Sequence, residues 1–180
     1  KEALAWLTQK YDLSNQSSLK TDLWLKIETK SFLQSCPTLI SWFRSMNLMC
    51  RENAITVVNN MSGAGLHIDE LPVTAKINIP LLNCDHVINE WYHVPDHLMA
   101  TVNPVFNRFG SAFYDLQSID VAQCELAGSI ELKNPVVFNS QIPHRVVCTP
   151  GAKFPRVVLT CMFFKEPLNY LTNSTMDRNA

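Results

Sequence analysis

The sequence predicts a mainly β protein, a sandwich or barrel, with a helical segment at its N-terminus. Three observations carry this. Short β-branched or alternating runs recur from about residue 50 onward. Gly, Pro and Asn turn residues separate them. Helical spacing of apolar residues is confined to the first part of the chain.

Taken in order, Glu2-Ala3-Leu4-Ala5-Trp6-Leu7 opens a short helix, and the Ser/Asn-rich stretch 11–20 reads as a loop. Phe32, Leu33, Cys36, Leu39, Ile40 and Phe43 recur at helical spacing and predict an amphipathic helix over 30–46. Pro37 falls inside that span or else marks the first turn of a shorter helix. Ala54-Ile55-Thr56-Val57-Val58 is a strand, residues 61–65 a Gly-containing loop, and Ala75 to Leu82 a further strand beyond Asp69. Glu90 to Val94 is a third candidate, and 95–115, with Pro95, Pro104 and Gly110, reads as irregular. Four more strands follow: 129–132, 135–138, 144–148 and 156–164, with 135–138 expected to pair with 144–148. No linker or repeat divides the chain, so 1–180 is read as one domain, with 1–50 mainly helical and 54–164 the β core.

Composition narrows the function classes. Hydrophobic residues make up 47% and charged residues 17%, a globular balance. Fifteen basic and sixteen acidic side chains leave a net charge of −1 with no basic stripe, which disfavours nucleic acid as a partner. No apolar run is long enough for a membrane helix. The six cysteines include no C-x-x-C pair, so free thiols in a reducing, cytoplasmic setting are expected.

The chemistry concentrates in His67-Ile68-Asp69, His144 and Arg156. Side chains two apart in an extended segment point the same way. His67 and Asp69 therefore project together, and Ile68 turns into the apolar layer. Among the five histidines, His144 has the strongest setting for a third ligand, after Pro143 at the start of a strand. Two histidines and one carboxylate form the face that holds a ferrous ion in oxygenases. Arg156 begins an apolar strand, where a buried guanidinium needs an anion and offers a planar fork to a carboxylate. Arg145, adjacent to His144, is expected to face away from the metal. Asn78 lies between Ile77 and Ile79 and needs partners for its amide, with a ligand as one option. Asn59 and Tyr92 are weaker candidates of the same kind. His86, His93, His97, Asp85 and Glu90 are read as surface groups, and Trp91 as sheet packing.

The set Gly65-Leu66-His67-Ile68-Asp69, Lys76-Ile77-Asn78-Ile79-Pro80-Leu81, Pro135 to Asn139, Pro143-His144-Arg145-Val146 and Arg156-Val157-Val158-Leu159 resembles the Fe(II)- and 2-oxoglutarate-dependent oxygenase superfamily over residues 54–164. Its prolyl and aspartyl/asparaginyl hydroxylases are the most similar in local texture. The resemblance implies a double-stranded β-helix (a jelly roll, cupin-like). It implies His67, Asp69 and His144 as iron ligands and Arg156 as the partner of the distal carboxylate of 2-oxoglutarate. Asn78, from its mid-strand amide and not from the resemblance, is a candidate for a further co-substrate contact, with a surface or hairpin role as the alternative. It implies a dioxygenase that consumes dioxygen and 2-oxoglutarate, releases succinate, and hydroxylates an unactivated C–H bond of a peptide residue or small molecule. Asp69 separates the chain from halogenating relatives, which vacate that position for chloride. One departure is Val158, where many relatives carry Ser or Thr two residues after the arginine. The rival reading is a cupin-like metal- or ligand-binding module without oxidative turnover, which forms no succinate. A metal-dependent isomerase on the same barrel usually needs more histidines in the first cluster. Residues 95–120 and the 63–65 loop are expected to shape the entrance, since barrel-mouth loops carry specificity.

Overall fold

A computed structural model describes residues 1–11, 23–61, 63–69, 72–106 and 112–170. The predicted loop at 11–20 lies outside them except for Tyr11. The elements are α1 (Glu2–Lys10), β1 (Leu23–Ile27), α2 (Thr29–Gln34), α3 (Pro37–Ser45), β2 (Cys50–Val58), β3 (Ala64–Ile68), β4 (Ala75–Leu82), β5 (Val87–His93), α4 (Asp96–Met99), β6 (Val105–Phe106), β7 (Ala112–Asp115), β8 (Glu125–Glu131), β9 (Val136–Asn139), β10 (His144–Cys148) and β11 (Arg156–Phe163). The chain is mainly β, with two antiparallel sheets ordered β1-β2-β11-β4-β9 and β6-β7-β3-β10-β5-β8. No described helix is long and apolar enough to cross a membrane.

The predicted helix over 30–46 is two helices. Glu28 caps α2 by accepting from the Lys30 and Ser31 amides. Pro37, which cannot donate to a preceding turn, opens α3 instead of sitting inside a longer helix. The Glu2 carboxylate of α1 accepts from the Thr38 amide and hydroxyl, tying α1 to the start of α3. Leu7, Phe32 and Phe43 of these helices pack on Ile55, Val57, Ile77, Val157, Leu159, Cys161 and Phe163 of the five-stranded sheet. Phe43 meets Phe163 edge-on at 5.0 Å.

All eight residues of β11 are buried. Val157, Leu159, Cys161 and Phe163 face the helices, so alternation turns Arg156, Val158, Thr160 and Met162 toward the other sheet. The sheets meet through aromatic rings: Phe138 of β9 lies 5.0 Å from Trp91 of β5 and 4.7 Å from His144 of β10.

This corrects the expected pairing of 135–138 with 144–148. β9 pairs with β4 in one sheet, and β10 pairs with β3 and β5 in the other. The four residues between them cross from sheet to sheet and do not form a hairpin turn. Two further expectations also change. Ala64 and Gly65 belong to β3 and not to a loop. The stretch read as irregular contains α4, β6 and β7, and Leu98, Met99, Val102 and Tyr114 from it pack on Leu66, Ile68 and Tyr92, covering the outer face of the six-stranded sheet. β1 was not anticipated at all.

Gly63 precedes β3 with φ +66°, and a Cβ there would fall on the Val146 carbonyl oxygen of β10. That neighbour is backbone and cannot swing away. Gly63→Ala is expected to lower stability by more than about 1 kcal/mol, read as a shifted urea midpoint at unchanged slope.

Candidate metal centre

The crossing from β9 to β10 assembles the centre. Ser140 donates its amide to Thr74 O at 2.9 Å, and its hydroxyl donates to Val73 O at 2.6 Å. Its carbonyl accepts from the Asp69 amide at 3.0 Å, which seats Asp69 just past the end of β3. Pro143 O accepts from Tyr92 N at 2.8 Å, and the next residue is His144, paired with both His67 and Trp91. A ligand pair from β3 and a ligand from β10 are thus fixed by one short segment.

His144 Nε2 lies 3.3 Å from Asp69 Oδ2, and His67 Nε2 lies 3.7 Å from Asp69 Oδ1. One donor atom from each residue falls within 4.8 Å of the others, so the three can hold a metal ion. Bonds of about 2.1 Å at right angles put neighbouring donors about 3 Å apart, so only a small closure is needed. Side-chain exposure is 27% for His67, 24% for Asp69 and 4% for His144, so the group opens to solvent on the His67–Asp69 side.

The hydrogen-bond pattern tests whether these residues suit a cation. His67 Nδ1 meets Gly65 O at 2.7 Å and His144 Nδ1 meets Ile142 O at 2.8 Å. A carbonyl only accepts, so each Nδ1 carries the ring hydrogen and each neutral Nε2 presents a lone pair. Two lone pairs then face a carboxylate that the Lys76 ammonium also bonds, and the three donor atoms can take a metal cation between them. Burial lowers the His67 pKa, which favours the neutral, ligating form.

Lys76, not singled out from the sequence, is the charge nearest this cluster. Its ammonium bonds Asp69 Oδ2 and lies 5.2 Å from the Phe138 ring centroid. Burial by itself raises the Asp69 pKa. The Lys76 charge reverses that and holds the carboxyl well below the usual carboxylate range. A depressed carboxyl contributes stability above its unfolded pKa of about 3.9, and loses it as pH falls toward the folded value. The metal-free protein is therefore expected to weaken as pH drops below about 4, and Lys76→Met to flatten that decline. Urea midpoints between pH 6 and pH 3 read the difference.

Arg156 is 3% exposed, its Nε has no hydrogen-bond partner, and among the described residues no carboxylate pairs with it. Burial lowers its pKa, opposed by Cys84 and Cys148. Asn78 sits opposite Thr160 and accepts from its hydroxyl at 2.9 Å, four residues up β11 from Arg156 on the same face. Lys76, two residues before Asn78, shares that face, so Arg156, Asn78 and the His-Asp-His group all address one interior.

Other residues fall elsewhere. Arg145 faces away from the metal group as expected. It donates to Glu90 at 2.7 Å, and Tyr92 donates to the same oxygen at 2.6 Å. Glu90 is therefore an ion-pair partner and not a solvated group, and Tyr92 belongs to the outer face. His86, His93 and His97 are exposed. All six cysteines are free. Asn89 is a second missed residue. It is 4% exposed, and its Nδ2 has no partner. The signal in the sequence is an Asn between Ile88 and the Glu90-Trp91 pair, within a strand that begins at Val87 and not at Glu90. Comparison with models of known protein families finds no match, and no curated protein sequence matches the chain.

Proposed function

We propose that this chain is an Fe(II)- and 2-oxoglutarate-dependent dioxygenase with a jelly-roll core, a hydroxylase of a peptide residue or small molecule. One observation carries the reading: a His-Asp-His group with both ring hydrogens turned away shares its interior with a buried guanidinium whose Nε has no hydrogen-bond partner and with which no carboxylate among the described residues pairs. A structural ion pair does not need the second feature, and a buried cation without an anion costs several kcal/mol, roughly.

His67, Asp69 and His144 would hold the metal on one face, with Gly65 O and Ile142 O fixing the two rings. When bound, a ferrous ion supplies the redox chemistry that couples decarboxylation of 2-oxoglutarate to hydroxylation by dioxygen. Lys76 steadies the Asp69 oxygen that it bonds. Arg156 offers its fork to the distal carboxylate of the co-substrate, and the Asn78–Thr160 pair lines the wall between. The aromatic rings of Trp91 and Phe138 close the side of the interior next to His144 and exclude water there.

Anaerobic protein given Fe(II) and 2-oxoglutarate is expected to develop a weak visible charge-transfer band that neither component gives alone. Absence of any metal-dependent co-substrate binding would sink the reading. Screening peptides and metabolites for stimulated succinate release then identifies the substrate class, and succinate formation separates an oxygenase from a binding module.

A further inference from the structure

We propose that Lys76 is a resident cation of the metal centre that keeps the bound ion exchangeable. With no ion present, its ammonium balances the charge of Asp69. When an ion enters, the ammonium stays beside it and weakens the hold. The inference rests on the metal centre of the function proposed above and adds to it how tightly the ion is held.

Direct contacts place the charge. The Lys76 ammonium bonds Asp69 Oδ2, the carboxylate oxygen that lies 3.3 Å from His144 Nε2. It therefore draws on the same atom that an ion shared with His144 would use. Lys76 Nζ also lies 5.2 Å from the Phe138 ring centroid, and that ring sits 4.7 Å from the His144 ring. An aromatic face attracts an ammonium, so Phe138 holds the charge next to the centre. The Lys76 side chain is 14% exposed, and among the described residues no second carboxylate pairs with it. Nothing on the page draws the ammonium away when an ion arrives.

Charge counting gives the sign of the effect. With both imidazoles neutral, the empty centre holds one carboxylate and one ammonium and is balanced. A divalent ion then enters a group of net charge zero, where without Lys76 it would meet a net negative one. A ligand bond of about 2.1 Å and an ammonium hydrogen bond of about 2.8 Å put an ion on Oδ2 within about 5 Å of Nζ. An ion on Oδ1 is only the width of a carboxylate farther. Salt screens charges over roughly 8 Å in open water and much less between partly buried groups, so the two cations repel. A neutral donor at this position would orient Asp69 as well. What a lysine adds is the charge. It spares the metal-free interior a bare carboxylate, and the grip on the ion is weaker for it.

Titration of the metal-free chain with Mn(II) alone, read by electron paramagnetic resonance of the free ion, tests this. Lys76→Met and Lys76→Gln are each expected to bind Mn(II) about 10- to 100-fold more tightly than wild type, and Lys76→Arg, which keeps the charge, to stay within about threefold of it. Lys76→Gln retains a hydrogen-bond donor for Asp69, so its gain reads charge and not a lost contact. Far-ultraviolet circular dichroism of each metal-free variant reports the fold, and Lys76→Gln carries the test should Lys76→Met not fold. Unchanged or weaker Mn(II) binding in the folded neutral variants makes Lys76 an orienting group and overturns the inference. An equal gain in Lys76→Arg overturns it too, and in either case the proposed function stands. Failure of wild type and both neutral variants to bind Mn(II) at all overturns both.

Discussion

Asp69→Asn and His144→Ala are each expected to abolish metal-dependent 2-oxoglutarate binding, with metal affinity down by more than about 100-fold. Even loss of a partner that merely orients a ligand costs about 10- to 100-fold, so loss of a ligand costs more. The two variants fail for different reasons. Asp69→Asn keeps the shape but removes the carboxylate that, among the described residues, faces the two Nε2 lone pairs, and leaves Lys76 without its counter-ion. His144→Ala removes a ring that touches both His67, at 4.3 Å, and Phe138, at 4.7 Å, and so opens a hole at the back of the centre. Only His144→Ala should lower metal-free stability through lost packing, by roughly 1–3 kcal/mol. Cobalt(II) titration by visible absorption reads the affinity, and urea unfolding with chelator reads the packing. Retention of tight binding in Asp69→Asn would remove the carboxylate from the ligand set.

Arg156→Met should move two measurements in opposite directions. In ligand-free protein the guanidinium is buried with no carboxylate partner among the described residues. Exchange for an apolar chain of similar length is expected to raise stability by about 1–4 kcal/mol, by analogy with buried ions replaced by hydrophobic residues. A gain of 1 kcal/mol shifts the melting temperature of a chain this long by about 2–4 °C. The same change removes the fork for the distal carboxylate, so the added melting shift that 2-oxoglutarate gives the metal-loaded wild type should vanish. Stability gained as binding is lost marks a residue kept for function. If Arg156→Met is less stable than wild type without ligand, the guanidinium has a structural partner and the anion-site assignment fails.

Local pattern made part of this molecule legible from its residues. β4 and β10 run over 75–82 and 144–148 as read, because β-branched alternation is strong there and turn residues bound both. The period of two placed His67 and Asp69 on one side, and Ile68 is buried on the other. Pairing across sheets was not legible. β9 and β10 are close in sequence, and only tertiary packing decides that the link between them is a crossing. Lys76 and Asn89 were missed for a related reason. A polar residue in a strand reveals its face only once the register is known, and register depends on distant partners. β1 lacked any alternation strong enough to separate it from the loop-like residues before it.

The crossing at 140–143 also bears on how fast a bound ion could escape. Ser140 O tethers the Asp69 amide, and three residues later the backbone holds His144 in its pairing. A single local opening of that segment would loosen a carboxylate and an imidazole together. Ion dissociation would then follow the breathing of four residues, faster than whole-chain denaturation, and amide exchange at Asp69 and Tyr92 would slow in step once the cation is held.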